Sequence, residues 1–288
     1  MLKPDVRGFY EPVTGSWTYV VWADAHADKR CAIIDSVRDY DIHSGRSDTK
    51  SADIVADWVI QKGLEVEWIL ETHIHADHLT AAKYLQGKLG GKTGVSEHFL
   101  RIRENWNRIF NFGPDTPADG SQFNRIIKND EEFTIGPLTA KMIHVPGHTP
   151  ADTAFVIGDA IICGDSMLLP DQGTGRCDFP GGSAADSYDS IMKILSYPDQ
   201  TRLYICHDYP PAGRGPQCMT TVAEQKAGNT RVKNGITRDQ YIAKRNKDDA
   251  GKAVPKLMLP SIQVNLRGGD LGDKDETVPD DPSAGLRV

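Results

Sequence analysis

Val66-Glu67-Trp68-Ile69-Leu70 runs without a break into Glu71-Thr72-His73-Ile74-His75-Ala76-Asp77-His78. Four of the first five residues are β-branched, aromatic or apolar, and the stretch reads as a buried strand. The run that follows is a poor core segment. From His73 on, its three imidazoles repel one another when charged and, with the Asp77 carboxylate, bury little apolar surface. The same groups at this spacing can converge on a cation, so the strand end reads as a metal-binding loop.

Three other strand ends repeat the pattern. Lys141-Met142-Ile143-His144-Val145-Pro146-Gly147 precedes His148, Ala160-Ile161-Ile162-Cys163-Gly164 precedes Asp165, and Arg202–Cys206 precedes His207-Asp208. Side chains that follow the carboxyl ends of strands in an α/β protein collect at one edge of the sheet. Imidazole and carboxylate suit zinc, iron or manganese. Gly147 and Gly164 allow sharp turns beside the ligands. His26, His43, His98 and His144 read as ordinary surface or core histidines. Cys163 and Cys206, next to the third and fourth ends, read as buried strand cysteines or as redox-sensitive thiols near the metal.

Working outward, the chain alternates strands and helices. Strands are expected at 16–23, 31–37, 66–70, 92–96, 132–135, 138–145, 153–157, 160–163 and 202–206. A helix with Ser51 as N-cap and Gly63 as stop carries Ile54, Val55, Trp58 and Val59. Others are expected from near Asp77, over 97–111 and over 184–196, whereas 112–130, rich in Gly, Pro, Asp and Asn, reads as loop. Residues 1–267 read as a single catalytic domain, with a loop and helix insertion at about 101–130. The segment 268–288 has six acids against two bases and reads as a solvated acidic tail.

Composition narrows the partners. The chain has 288 residues and a formal charge of −7, which argues against a nucleic-acid or anionic-membrane surface as the main partner. No apolar run approaches a membrane span, and the first residues lack the shape of a signal peptide. Five cysteines without a C-x-x-C pair argue against a disulfide framework and fit a reducing cytoplasm. A homodimer is the commonest assembly for such a chain.

The His73–His78 run, Pro146-Gly147-His148-Thr149, Gly164-Asp165 and Cys206-His207-Asp208-Tyr209 together resemble the metallo-β-lactamase fold over roughly residues 9–267. That resemblance implies an α/β protein, a four-layer αβ/βα sandwich with the metal site at the sheet edges. Within the fold the chain resembles persulfide dioxygenases of the bacterial Blh type. Ala76 stands where glyoxalase II carries an aromatic residue. Gly175-Arg176-Cys177-Asp178-Phe179 resembles the dioxygenase G-R-T-D-F with Cys177 in the Thr position, Asn229-Thr230-Arg231 resembles N-P-R, and Val264–Gly268 resembles the close of that family's chain. The resemblance implies one iron(II) per chain on His73, His148 and Asp165, with no protein nucleophile. It leaves His75, Asp77, His78 and His207 around the metal or as holders of a second one. Arg176, Tyr209, Arg231 and Arg267 are the expected substrate contacts. The implied reaction oxidises glutathione persulfide with O2 and water to sulfite and glutathione, in sulfide detoxification. The alternative is a glyoxalase II-like hydrolase of glutathione thioesters with two metals. A nucleic-acid processor on this fold is opposed by the charge, and a metal-free scaffold by the complete ligand set.

Overall fold

The computed structural model describes residues 2–114 and 116–272, so the tail expected at 268–288 lies outside the described residues from 273 onward. The first half of the chain supplies β1 (Asp5–Glu11), β2 (Ser16–Trp22), β3 (Arg30–Ile34), β4 (Val37–Asp41), β5 (Arg46–Asp48), α1 (Lys50–Gln61), β6 (Glu65–Leu70), β7 (Leu79–Thr80), α2 (Ala82–Leu89), β8 (Lys92–Ser96), α3 (Phe99–Phe110) and β9 (Arg125–Ile127). The second supplies β10 (Glu132–Ile135), β11 (Leu138–His144), β12 (Thr153–Ile157), β13 (Ala160–Ile162), α4 (Ala184–Leu195), β14 (Arg202–Tyr204), β15 (Met219–Thr221), α5 (Val222–Gly228), α6 (Arg238–Asp249) and α7 (Met258–Leu266).

Two mixed sheets, ordered β1-β2-β3-β6-β8-β9 and β10-β11-β12-β13-β14-β15, face one another, and a small sheet β5-β4-β7 lies to one side. Trp17, Tyr19, Ile34, Leu70, Phe133, Met142, Phe155 and Ile162 fill the space between the two large sheets. Alternate residues of the same strands point outward and bury helices. Ile33 and Ile69 meet Val55, Val59 and Leu85 of α1 and α2. On the other side Ile161 and Leu203 meet Ile191, Ile194 and Tyr241 of α4 and α6. The result is the expected four-layer αβ/βα sandwich, built by the period-two alternation of strands buried on both faces.

Several local expectations change. The strand expected over 31–37 is two, because the chain turns at Asp35, a non-glycine residue in the left-handed region (φ 55°), and β4 leaves for the small sheet. The helix expected from Asp77 starts at Ala82, since Leu79 and Thr80 pair with Arg38 and Val37 instead. Ser51 lies inside α1, where its hydroxyl bonds Asp39 Oδ1 at 2.6 Å, and the cap position is Thr49. The loop expected over 112–130 contains β9, an edge strand parallel to β8. Short strands of this kind carry too few residues to show a period.

The two sheets are sewn together at one edge. Ser16 and His207 form an antiparallel bridge, Trp17 N donates to Cys206 O at 2.8 Å and Thr153 N donates to Thr72 O at 2.9 Å. All four motif-bearing strand ends open at this edge. The backbone is tightly packed at Gly147 (φ 151°), where an added Cβ would stand 2.3 Å from Ser187 Cα on α4. Gly147→Ala is therefore expected to destabilise the fold by about 2–3 kcal/mol. A urea unfolding midpoint matching that of the parent chain would show that the helix yields freely.

Candidate metal centre

Five imidazoles converge at the sewn edge, and each is held from behind. Thr72 Oγ1 donates to Asp35 Oδ2 at 2.9 Å, so at 3.0 Å it accepts from His73 Nδ1. His75 Nε2 donates to Asp35 Oδ1 at 3.1 Å and lies 3.3 Å from Glu71 Oε2. His78 Nδ1 donates to Leu79 O at 3.3 Å, and His148 Nδ1 to Arg176 O at 2.7 Å. His207 Nδ1 donates to Ser16 Oγ at 3.3 Å. That direction follows from a relay in which Ser16 donates to Thr14 and Thr14 to Glu11 Oε2. With one nitrogen of each ring so occupied, the other presents a lone pair inward. A histidine that ligates a metal is commonly anchored in this way.

The inward atoms have no hydrogen-bond partners. His73 Nε2, His75 Nδ1, His78 Nε2, His207 Nε2 and Asp165 Oδ1 are all buried and unsatisfied. Orphaned polar atoms are rare in interiors because each costs about 1–3 kcal/mol. Their concentration at one point is the mark of a cation site. His73, His148 and Asp165 each bring a ligand atom within 4.8 Å of the others. Asp165 Oδ2 stands 3.3 Å from His148 Nε2 and 3.9 Å from His73 Nε2. These separations are close to the ~3 Å edge that donors about 2.1 Å from one ion would make. The triad fits a metal.

Electrostatics agree with that fit. Burial, reinforced by the neighbouring rings, drives His73 well below the usual histidine range. Burial likewise pushes His78 down to about 3, so both rings are neutral, the form in which an imidazole can bind a metal. Burial also opposes charge on His75 and His207, but Asp35 and Asp165 respectively overcome it and raise both. Burial would raise Asp77, yet His207 and His78 bring it down to about 2. Its Oδ2 lies 3.1 Å from His207 Nε2.

His148 and Asp165 line a cleft of about 1850 Å³, together with Arg176, Tyr209 and Arg231 among others. Tyr209 lies parallel to the His207 ring, centroids 6.0 Å apart. Arg176 is pinned by Asp178 and by Ala253 O at 2.8 Å, and Arg231 pairs with Asp248. Arg267 is placed differently from the expectation. It is buried at the end of α7, donates to Asp270 O and Leu271 O, and is not among the residues lining the cleft.

Five supporting residues escape the sequence reading. Asp35 and Glu71 brace His75. Asn265 donates to His75 O and His78 O, both at 2.8 Å, and accepts from Thr80 N at 2.7 Å, fixing the loop between them. Arg245, fully buried, is clamped by both oxygens of Asp249 and donates to Thr174 O and Gly175 O at 3.1 and 3.2 Å. Asp249 Oδ2 also accepts from Cys177 N at 2.9 Å. The pair thus sets the strap whose Arg176 carbonyl orients His148. Asn265 lies within the Val264–Gly268 segment, which the sequence reading singled out for its arginine instead.

A paired-sheet sandwich with histidines and aspartates at four strand ends defines a class. Residues 12–207 match the model of the metallo-beta-lactamase superfamily, and the chain belongs to it. It is 46% identical to Glyoxylase B2 of Dictyostelium discoideum over 86% of each chain. It is 43% identical to a probable metallo-hydrolase of Burkholderia pseudomallei, covering 94% of this chain and 95% of that one. The mitochondrial persulfide dioxygenase ETHE1 of Bos taurus is 24% identical over 92% of this chain and 88% of its own. Among solved structures, ETHE1 from Myxococcus xanthus superposes with a TM-score of 0.72 at 25% identity, over 92% of this chain and all of that one.

Proposed function

We propose that the chain is a persulfide dioxygenase that holds one iron(II) on His73, His148 and Asp165. Glutathione persulfide, O2 and water would be its substrates, sulfite and glutathione its products, in sulfide detoxification. The observation that carries this reading is the convergence of two anchored imidazoles and one carboxylate on a single point facing the cleft. A facial set of that kind leaves neighbouring positions open for two substrates. Likeness to persulfide dioxygenase ETHE1 along nearly the whole chain supports it. Bound iron would supply electrons to dioxygen and a coordination position for sulfur.

The chain's own residues bind, orient and exclude. Phe179 stands edge-on to His148 at 5.0 Å and shields that ring from water. Lys252 and Lys256 line the same cleft as Arg176 and Arg231, and offer cations to the carboxylates of glutathione. Lys256 is exposed and has no ion pair among the described residues. The Asp77–His207 pair, at 3.1 Å, is placed to take and hold a proton at His207 Nε2. In the overall change the S–S bond breaks and the terminal sulfur is oxidised to sulfite. Dioxygen is reduced, water supplies the third oxygen, and the released protons go to solvent.

A second reading has its own observation. His75, His78, His207 and Asp77 also present donors at the same edge, and two ions there would suit a thioester hydrolase like glyoxalase II. An oxygen electrode separates the two. Iron-loaded protein given glutathione persulfide is expected to consume oxygen and release sulfite, with one iron per chain by elemental analysis. Brisk hydrolysis of lactoylglutathione by a two-metal form, with no oxygen uptake, would establish the hydrolase instead.

A further inference from the structure

The cleft has an arm for which glutathione gives no use. Small-molecule sites enclose about 300–1,000 Å³, so a tripeptide leaves much of this cleft of about 1850 Å³ unfilled. Its lining continues from Asp77 and His148 onto the small sheet. β7 follows His78 directly and pairs with Val37 and Arg38 of β4, and β4 pairs in turn with β5. Arg46 on β5 therefore stands two strand spacings, roughly 10 Å, out from β7. Arg38 and Arg46 both line the cleft, and neither makes an ion pair among the described residues. Arg38 is half-buried, its Nε is enclosed without a hydrogen-bond partner, and its guanidinium lies 5.9 Å from the centre of the Tyr84 ring. The acids nearby are engaged elsewhere. Asp39 accepts from Ser51 N and Oγ, Asp41 from His43 N and Ser44 Oγ, and Asp48 from Thr49 N and Lys50. A partly desolvated cation without a counter-charge is costly, and an anion entering this arm relieves that cost.

We propose that Arg38 and Arg46 form a phosphate subsite, and that the cleft takes, besides glutathione persulfide, the persulfide of a longer thiol that ends in phosphate, of the coenzyme A class. The planar fork of arginine holds phosphate oxygens in pairs. Tyr40 and Ile42 share a face of β4 with Arg38 by the strand period and line the same arm, so the body of the carrier between sulfur and phosphate meets apolar surface. Glutathione has carboxylates but no phosphate, and is too short to occupy both ends. The reaction is that of the shorter substrate. The S–S bond breaks, the terminal sulfur becomes sulfite with both oxygens of O2 and one from water, and O2 takes the electrons. The carrier leaves as its thiol with one proton, and the remaining protons go to solvent. This oxidation rests on the dioxygenase reading above, whereas the subsite rests only on the cleft and its cations.

The test is calorimetric titration of iron-loaded, full-length protein, under nitrogen, with coenzyme A, pantetheine, adenosine 3′,5′-bisphosphate and glutathione. Coenzyme A is expected to bind at least about tenfold more tightly than pantetheine, which lacks the phosphates, and to weaken with added salt. Arg38→Gln and Arg46→Gln are each expected to lose about tenfold in affinity for coenzyme A and to keep that for pantetheine and glutathione. The exposed Arg46 guards against a folding defect at the half-buried Arg38, and retained glutathione binding shows that both variants are folded. Coenzyme A binding no tighter than pantetheine, or unchanged in both variants, would overturn the subsite. The bisphosphate binding as tightly as coenzyme A would overturn the assignment of a thiol carrier. In the oxygen electrode, coenzyme A persulfide is expected to drive uptake, with a raised KM and an unchanged kcat in Arg46→Gln. Uptake with glutathione persulfide but none with coenzyme A persulfide sinks the longer substrate alone. No uptake with either, together with the binding pattern above, sinks the dioxygenase reading and leaves the subsite standing.

Discussion

A His148→Ala chain is expected to emerge with almost no iron and no persulfide-dependent oxygen uptake. His148 is the proposed ligand that the second sheet's loop delivers, and its Nδ1–H is already committed to Arg176 O. The loop itself cannot shift to bring in another donor, because Gly147 and the strap at Gly175 are tightly packed. A Cβ at Gly175 would stand 2.2 Å from Asp165 O. Loss of an anchored ligand is expected to cost about 100-fold or more in metal affinity. Iron per chain by elemental analysis, with exposed His26→Ala as the control, checks it. Iron content equal to that of the control would remove His148 from the ligand set.

The second large effect is expected behind the strap that holds His148. Asp249→Ala would leave the Arg245 guanidinium, 1% exposed, without its carboxylate. Removing one partner of a buried pair typically costs about 3–5 kcal/mol, because the remaining charge stays desolvated. Urea unfolding of the apo chain should show that loss. The paired replacement Arg245→Met with Asp249→Leu should recover much of it. Iron affinity should fall in the single variant, since Asp249 also holds Cys177 N next to the carbonyl that orients His148. A single variant as stable as the parent would mean that the guanidinium escapes to solvent.

The candidate ligands were readable because their chemistry conflicts with a core at the position where a strand ends. Nothing else explains three histidines directly after Val66–Leu70. Their supports were not readable, each for a definite reason. Asp35 is a single acid after an apolar run, and only the crossing of β3 beside β6 puts it behind His75. Arg245 and Asp249 sit one helical turn apart, a spacing that on most helices marks a solvated surface pair. Here α6 turns that face onto the strap at 174–177. Leu79 and Thr80 pair over two residues, too few to announce a strand, so the polar run before them suggested a helix start. Arg231 and Arg267 look alike as cations in sequence, and only the fold shows that one faces the cleft while the other caps α7.

The seam between the sheets has a thermodynamic meaning. His73 hangs from one half of the sandwich, whereas His148 and Asp165 hang from the other, so an ion that grips all three acts as a clasp across the join. Neither half alone offers a complete grip, and the grip exists only after long-range docking has been achieved. Occupancy and cohesion of the halves must therefore rise and fall together. Chelators would be felt first as a loosening of this join, and only afterwards in the hydrophobic layers on either side.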